Sequence, residues 1–380
     1  ITDEHCKISG MSAALIDTRD LSNSEITIYV VIAVLLCIIV LELALDSYLA
    51  PILLLLNIGI AILYNMGTNV FLGQISYITK AISAVLQLGV TMDFAIFLYH
   101  SYKEEKEKTS NNDEAMSKAI KTTMTSVLGS ATTTIAGFLA LCSMNLTLGK
   151  DIGIVMAKGV LFGVLCVIFI LPAMLLLCDK AIEKTKHKEI LPKFNHLKEF
   201  NIKHNKAIIV AFLIILPFAL YGYSNTEVYY NLDKSLPDTL QSIQANNELQ
   251  EKFDIVTTEL LLIDRNIPEY KINEMTKEIE SLDGITSILS YEKLLGTSTP
   301  VDILPDDIKD IFKTDKYQLI LISSKYELAT DELNEQIAKV NEITKAYDEN
   351  SILAGEGPLM KDLVEISDHD FNWVNWVSIG

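Results

Sequence analysis

Asp93 lies inside the apolar stretch Tyr77 to His100, in the string Gly89-Val90-Thr91-Met92-Asp93-Phe94-Ala95-Ile96-Phe97-Leu98. An acid at the centre of a bilayer costs about 2.5–3.5 kcal/mol even on the lenient insertion scale, so such residues are kept for proton or ion paths, or are held by a structural hydrogen bond. Desolvation disfavours the ionised form of a carboxyl group. Its protonation and release can therefore bias helix packing between two states, which is the chemistry of proton-coupled transport. A second chemistry-bearing stretch follows, with Thr122, Thr123, Thr125, Ser126, Ser130, Thr132, Thr133 and Thr134 in one apolar run. Of these, Thr125, Ser126, Ser130 and Thr133 are the candidate supports for Asp93, through a direct hydroxyl contact or a water file. Close helix packing through Gly129-x-x-x-Thr133 is the competing explanation for the same small residues.

Other polar residues carry less. His100 follows Asp93 by two helical turns, at the end of the apolar stretch, where a solvated ring is the simpler reading. Glu42 and Asp46 fall at the end of the first apolar run, where snorkelling or a loop explains them, and Lys150-Asp151 reads as a solvated pair in a turn. His187, His196 and His204 lack metal-ligand spacing. Four cysteines, Cys37, Cys142, Cys166 and Cys178, sit in apolar runs without C-x-x-C spacing and read, with Cys6, as free thiols. No G-x-x-x-x-G-K-[ST] is present, so ATP is not expected as a direct energy source. No second carboxylate, Ser-His pair or metal cluster converges with Asp93, so an enzyme is not expected, and neither are catalytic residues, a cofactor or a metal.

The elements that must position Asp93 are long apolar runs: Ile26 to Leu45, Leu49 to Leu72, Tyr77 to His100, Thr122 to Thr147, Ile152 to Cys178 and Ala207 to Tyr223. Each has about the length needed to cross roughly 30 Å of hydrocarbon, which predicts six transmembrane helices. Lysines orient them, because loops left on the cytoplasmic side carry the positive excess. The loop Tyr102 to Lys121 and the linker Lys180 to Lys206 are lysine-rich, and the turns at 67–76 and 145–151 hold only Lys150. The N-terminus and the large polar segment are then extracytoplasmic. The linker itself fits either an amphipathic helix on the inner surface or a solvated connection.

Net charge is concentrated in that polar segment. Residues 226–370 hold 31 acids against 13 bases, which accounts for the whole formal charge of −18. Such acidity argues against nucleic acid as a partner. The segment reads as an α+β domain. Strands are expected at Glu227 to Asn231, Ile255 to Ile263, Ile285 to Ser290, Tyr317 to Ser323 and Ile352 to Ala354. Helices are expected at Thr239 to Phe253, Pro268 to Leu282, with Gly284 after its end, and Asp331 to Tyr347. The preferred order is β-α-β-β-α-β, ferredoxin-like.

A gap-free repeat at an offset of 345 residues aligns Gly10 with Gly355, Leu15 with Met360, Asp17 with Asp362, Asp20 with Glu365, Ser22 with Ser367 and Glu25 with Asp370. Both copies end at an apolar segment. Residues 1–25 are thus expected to be the tail of a first extracytoplasmic domain, and two copies of a domain-plus-helices unit is a common transporter plan. The absence of a starting Met and the run that stops at Gly380 point to a longer polypeptide.

These residues carry a resemblance. GVTMDFAIFLYHSYKEE, Gly89 to Glu105, resembles the fourth transmembrane helix of the RND superfamily, and specifically of its MMPL-type bacterial exporters of lipids and hydrophobes. Its pattern is G-x-x-x-D-Y-x-x-F-L with a charged cytoplasmic end. Ser126 to Leu141 resembles the fifth helix, and Leu161 to Leu177, with Pro172, the sixth. Phe94 stands where the family usually has tyrosine, keeping the ring and losing a relay hydroxyl. The resemblance implies a proton relay at Asp93 and Phe94, with a partner aspartate on the tenth helix, beyond residue 380. It also implies porter-like domains at residues 1–25 and 225–366, helices two to six at 26–178, a cytoplasmic linker at 179–206, helix seven at 207–224 and the start of helix eight at 367–380. The expected function is export of a lipid or amphiphile across the bacterial cell membrane, driven by the proton gradient. Its expected partners are protons, the membrane and the amphiphilic substrate, with a monomer and a homo-oligomer both open. A sterol-sensing or receptor-like lipid binder, or a SecD/SecF-like protein-export component, is the alternative.

Overall fold

The computed structural model describes residues 6–188, 200–225, 236–295 and 310–379. The chain divides into two compact units, one formed by residues 1–20 with 228–369 and the other by 21–227 with 370–380.

In the helical unit, α1 (Met11–Ala44) enters from the other unit and is followed by α2 (Ala50–Gly67), which tightens into a 3-10 turn over Thr68–Leu72. Then come α3 (Tyr77–Lys108), α4 (Asn112–Ala140), α5 (Thr147–Leu165), α6 (Leu171–Lys184) and α7 (Asn205–Ser224). A π turn over Cys166–Ile170 joins α5 to α6 without a break. Pro172 follows it, and the amide that proline lacks accounts for the local loosening. Six helical segments among the described residues are long and apolar enough to span a membrane, and they coincide with the six expected runs.

The expected lysine-rich loop Tyr102 to Lys121 is mostly helix. α3 runs on to Lys108 and α4 begins at Asn112, leaving only residues 109–111 between them. Charge pairs one turn apart, Lys108 with Glu104 at 2.8 Å and Lys118 with Glu114 at 2.7 Å, support the extensions. Asn111 caps α4 by accepting from the Asp113 amide at 3.0 Å, and Asp113 and Glu114 suit the positive end of the helix. α3 is capped by Ser76, whose own amide donates to Asp151 Oδ2 at 2.9 Å. Asp151 is therefore a capping partner rather than half of a solvated pair. Of the expected linker, 180–184 continues α6, 200–203 is a short helical turn before α7, and 189–199, with most of the expected amphipathic helix, lies outside the described residues.

The polar unit holds α8 (Gln241–Phe253), β1 (Thr257–Asp264), α9 (Glu269–Glu280), β2 (Ile285–Leu289), the short α10 (Tyr291–Leu295), β3 (Tyr317–Ser324), α11 (Asp331–Tyr347) and β4 (Ile352–Gly355). Among the described residues its four strands form one antiparallel sheet in the order β2-β3-β1-β4. Leu261 and Ile263 of β1 meet Ile272, Met275 and Ile279 of α9 and Val340 of α11 in a buried core, as period-2 and period-3.6 apolar patterns require when a sheet packs on helices. Gly284 ends the α9 turn at φ +87°, and a side chain there would run into Gln336 Nε2, so glycine is required. The expected strand Glu227 to Asn231 lies outside the described residues.

From β4 the chain turns directly into α12 (Glu356–Ile379), which passes from the polar unit into the helical one. Gly10 and Gly355, aligned by the repeat, both adopt positive φ, +98° and +125°, immediately before the long helices α1 and α12. Within the polar unit the two helix starts are joined by a hydrogen bond from the Met11 amide to the Glu356 carboxylate.

Candidate functional site

Asp93 occupies the middle of α3 on its exposed side, in a stripe with Gly89, Phe97 and His100, while the adjacent Phe94 is 3% exposed in the core. Among the described residues a side chain at Gly89 would meet nothing within 4 Å. On α4 the residues Ser126, Gly129, Ser130, Thr133 and Gly137 recur every three or four positions and are likewise exposed, as is Thr125. The expected close packing at Gly129 is not made by the described residues, for a side chain there would meet nothing within 4 Å. Among the described residues no hydrogen bond joins Asp93 to Thr125, Ser126, Ser130 or Thr133. Thr133 and Thr134 donate instead to the Ser130 carbonyl of their own helix, each at 2.8 Å, and Thr132 to Leu128 at 2.7 Å. The acid and the hydroxyl-rich helix thus both face out of this bundle.

The opposite side of α3 packs against α2 and α5 through polar contacts. Gln87 accepts from Asn65 Nδ2 at 2.8 Å and donates to the Gly159 carbonyl at 3.0 Å. A side chain at Gly159 would stand 2.7 Å from Asn65 Nδ2, and one at Gly163 would stand 2.6 Å from Thr91 Cγ2. These two glycines, one turn apart on α5, set the close crossing that Gly129 does not. Lys158 donates to the Asn65 carbonyl at 2.9 Å, Thr68 Oγ1 at 3.0 Å and Asn69 Oδ1 at 2.6 Å, so it closes the end of α2.

At the lysine-rich end of α3 two carboxylates are held in parallel. Asp46, in the α1–α2 turn, accepts from the Tyr99 hydroxyl at 3.2 Å and pairs with Lys103 at 2.7 Å. Asp179 of α6 accepts from the Tyr102 hydroxyl at 2.9 Å and from Lys106 at 2.5 Å, and its other oxygen accepts from Asn112 Nδ2 at 2.8 Å. Both acids are buried, at 8% and 7% exposure. Burial opposes ionisation of Asp46, but the Lys103 ammonium and the Tyr99 hydroxyl outweigh it and hold the carboxyl below its usual range. Asp46 is a structural anchor rather than a snorkelling residue. The Y-x-x-Y-K-x-x-K spacing from Tyr99 to Lys106, two tyrosine-lysine pairs each one turn apart on a helix, is the sequence signal for these anchors.

In the polar unit one acid stands out. Glu259 of β1 is 3% exposed, and among the described residues neither oxygen has a hydrogen-bonding partner of normal geometry. Burial, with the nearby Glu356 carboxylate adding to it, pushes the Glu259 carboxyl up to about 8.

The sequence profile of the MMPL family matches residues 2–196, just over half of the chain and all of α1 to α6. "Putative membrane protein MJ1562" of Methanocaldococcus jannaschii is 31% identical over 151 residues, 40% of this chain and 37% of that protein. "Putative membrane protein ActII-3" of Streptomyces coelicolor is 30% identical over 175 residues, 44% of this chain and 23% of that protein. "Putative membrane protein SCO5905" of the same organism is 24% identical over 261 residues, 65% of this chain and 30% of that protein. The chain thus spans between about a quarter and somewhat over a third of the length of these relatives. With six helices of membrane-spanning length and composition and the family profile matching across five of them, this chain is a membrane protein and belongs to the MMPL family.

Proposed function

We propose that the chain is part of a proton-driven exporter of lipids or other amphiphiles in the bacterial cell membrane, with Asp93 as the group that takes up and releases the proton. The observation that carries this reading is the position of Asp93 on the exposed stripe of α3, in a chain with six helices of membrane-spanning length. An acid on a lipid-facing surface at mid-span is costly, so the stripe is better suited to lie against further protein, where a carboxylate can meet a partner. The repeat at Gly10 and Gly355 supports a second, similar half, and ActII-3, of which the matched 175 residues are 23%, is long enough to hold one. The exposed Ser126, Ser130 and Thr133 would join Asp93 at that seam, with Phe94 filling the core behind it. The β-α-β-β-α-β order and β4-β1-β3-β2 strand order of the polar unit agree with a ferredoxin-like porter domain on the extracytoplasmic side.

The test uses the full-length protein in proteoliposomes loaded with a fluorescent lipid analogue. An imposed proton gradient is expected to drive its movement, and Asp93→Asn is expected to remove that dependence while leaving membrane insertion intact. Lipid binding without any effect of the gradient would favour the receptor-like alternative.

A further inference from the structure

The interior between α2, α3 and α5 holds a line of polar residues that the Asp93 reading does not use. Thr79, Ser83, Gln87 and Thr91 recur at every fourth position of α3 and each has 0% exposure, on the face turned away from Asp93. Asn57 and Asn65 of α2 are as deeply buried, at 1% and 0%. Met66 meets Ser83 and Asn65 meets Gln87, which fixes the antiparallel register of the two helices. Eight residues at about 1.5 Å each then place Asn57 roughly 12 Å along from Asn65, at the level of Ala95.

Three of these residues have polar atoms without a partner among the described residues. Both side-chain amide atoms of Asn57, Asn65 Oδ1 and Thr79 Oγ1 make no hydrogen bond there. A buried amide left without a hydrogen-bonding partner forfeits its hydration with nothing in return, so several in one seam call for a bound partner. A cation fits poorly, since the Lys158 ammonium sits at Asn65 and bonds only neutral oxygens there. An apolar ligand would leave the amides unpaired. Water supplies both the donor and the acceptor that Asn57 needs. The close approach of α5 at Gly159 and Gly163 restricts the seam to small molecules.

We propose that this seam binds a file of ordered water about 24 Å long, with Thr79, Asn65 and Asn57 as its hydrogen-bonding stations. The file ends where the apolar cluster of Leu53, Leu54, Phe94 and Leu98 takes over. It gives the bundle a wet interior line separate from the stripe that carries Asp93.

The deciding experiment is a cryo-EM map of the full-length protein in lipid nanodiscs, at a resolution that shows ordered water on polar residues elsewhere in the protein. Density is expected within about 3.2 Å of Asn57, Asn65 Oδ1 and Thr79 Oγ1. A map with water elsewhere and none at these atoms overturns the proposal. Thermal unfolding of Asn57→Leu, a near-isosteric change, gives an independent readout. A hydrated amide predicts a lower Tm for the variant, and a dry one predicts a higher Tm, which also overturns the proposal.

Discussion

The ammonium of Lys103 stands 2.7 Å from the Asp46 carboxylate, and three residues further along the same helix Lys106 stands 2.5 Å from Asp179. One end of α3 is thereby fixed both to the α1–α2 turn and to α6. Removing one partner of a buried ion pair leaves the other charge unpaired, which costs more than losing the pair as a whole. Asp46→Asn and Lys103→Met are each expected to destabilise the purified protein by about 1–3 kcal/mol, and the double variant by less than the sum. Thermal unfolding of the four proteins measures the coupling, and additive losses would show that the two side chains do not interact.

Glu259 makes the stability of the polar unit depend on pH. Its folded-state carboxyl is raised to about 8 by burial and by Glu356, whereas an unfolded glutamate titrates near 4.3. Between those values the folded form holds a proton that the unfolded form has lost, so stability falls as pH rises through the window and levels off above it. Glu259→Gln is expected to flatten this slope, by an effect on the order of a few kcal/mol across the window. Denaturant unfolding of the polar unit followed at pH 5, 6.5 and 8 checks it, and equal slopes in both proteins would contradict the assignment.

The glycines of the helical unit divide into two classes. Gly163→Ala places a methyl group 2.6 Å from Thr91 Cγ2 and is expected to lower the melting temperature. Gly129→Ala meets nothing within 4 Å among the described residues and is expected to be neutral or slightly stabilising by helix propensity. In the full-length protein Gly129 lies on the proposed seam with the second half. A loss of transport in Gly129→Leu with the protein still folded is therefore expected, and unchanged transport would argue that this face meets lipid.

Much of this structure could be read from local sequence. The apolar runs are long enough to demand spans, and the periodic patterns of Pro268 to Leu282 and Asp331 to Tyr347 mark helices that the structure places within a residue or two. Helix ends beyond the apolar runs were harder, because hydropathy is silent about the charged extensions of α3 and α4. The anchors were hidden for a different reason. Asp46 and Asp179 lie 53 and 77 residues from the tyrosines that hold them, and only the fold brings them together. Lys158, Asn57 and Asn65 are single polar residues in apolar context, and their convergence depends on helix rotation, which periodicity alone does not fix. Asp93 was legible because one acid in a span is rare. The face it occupies was not.

The most direct measurement is uncoupler-sensitive efflux of a fluorescent amphiphile by the full-length protein, comparing wild type with Asp93→Asn at equal membrane abundance. Efflux that collapses with the uncoupler and is lost in the variant is the expected result. Undiminished, gradient-dependent efflux in Asp93→Asn would contradict the assignment of Asp93 as the proton-carrying group.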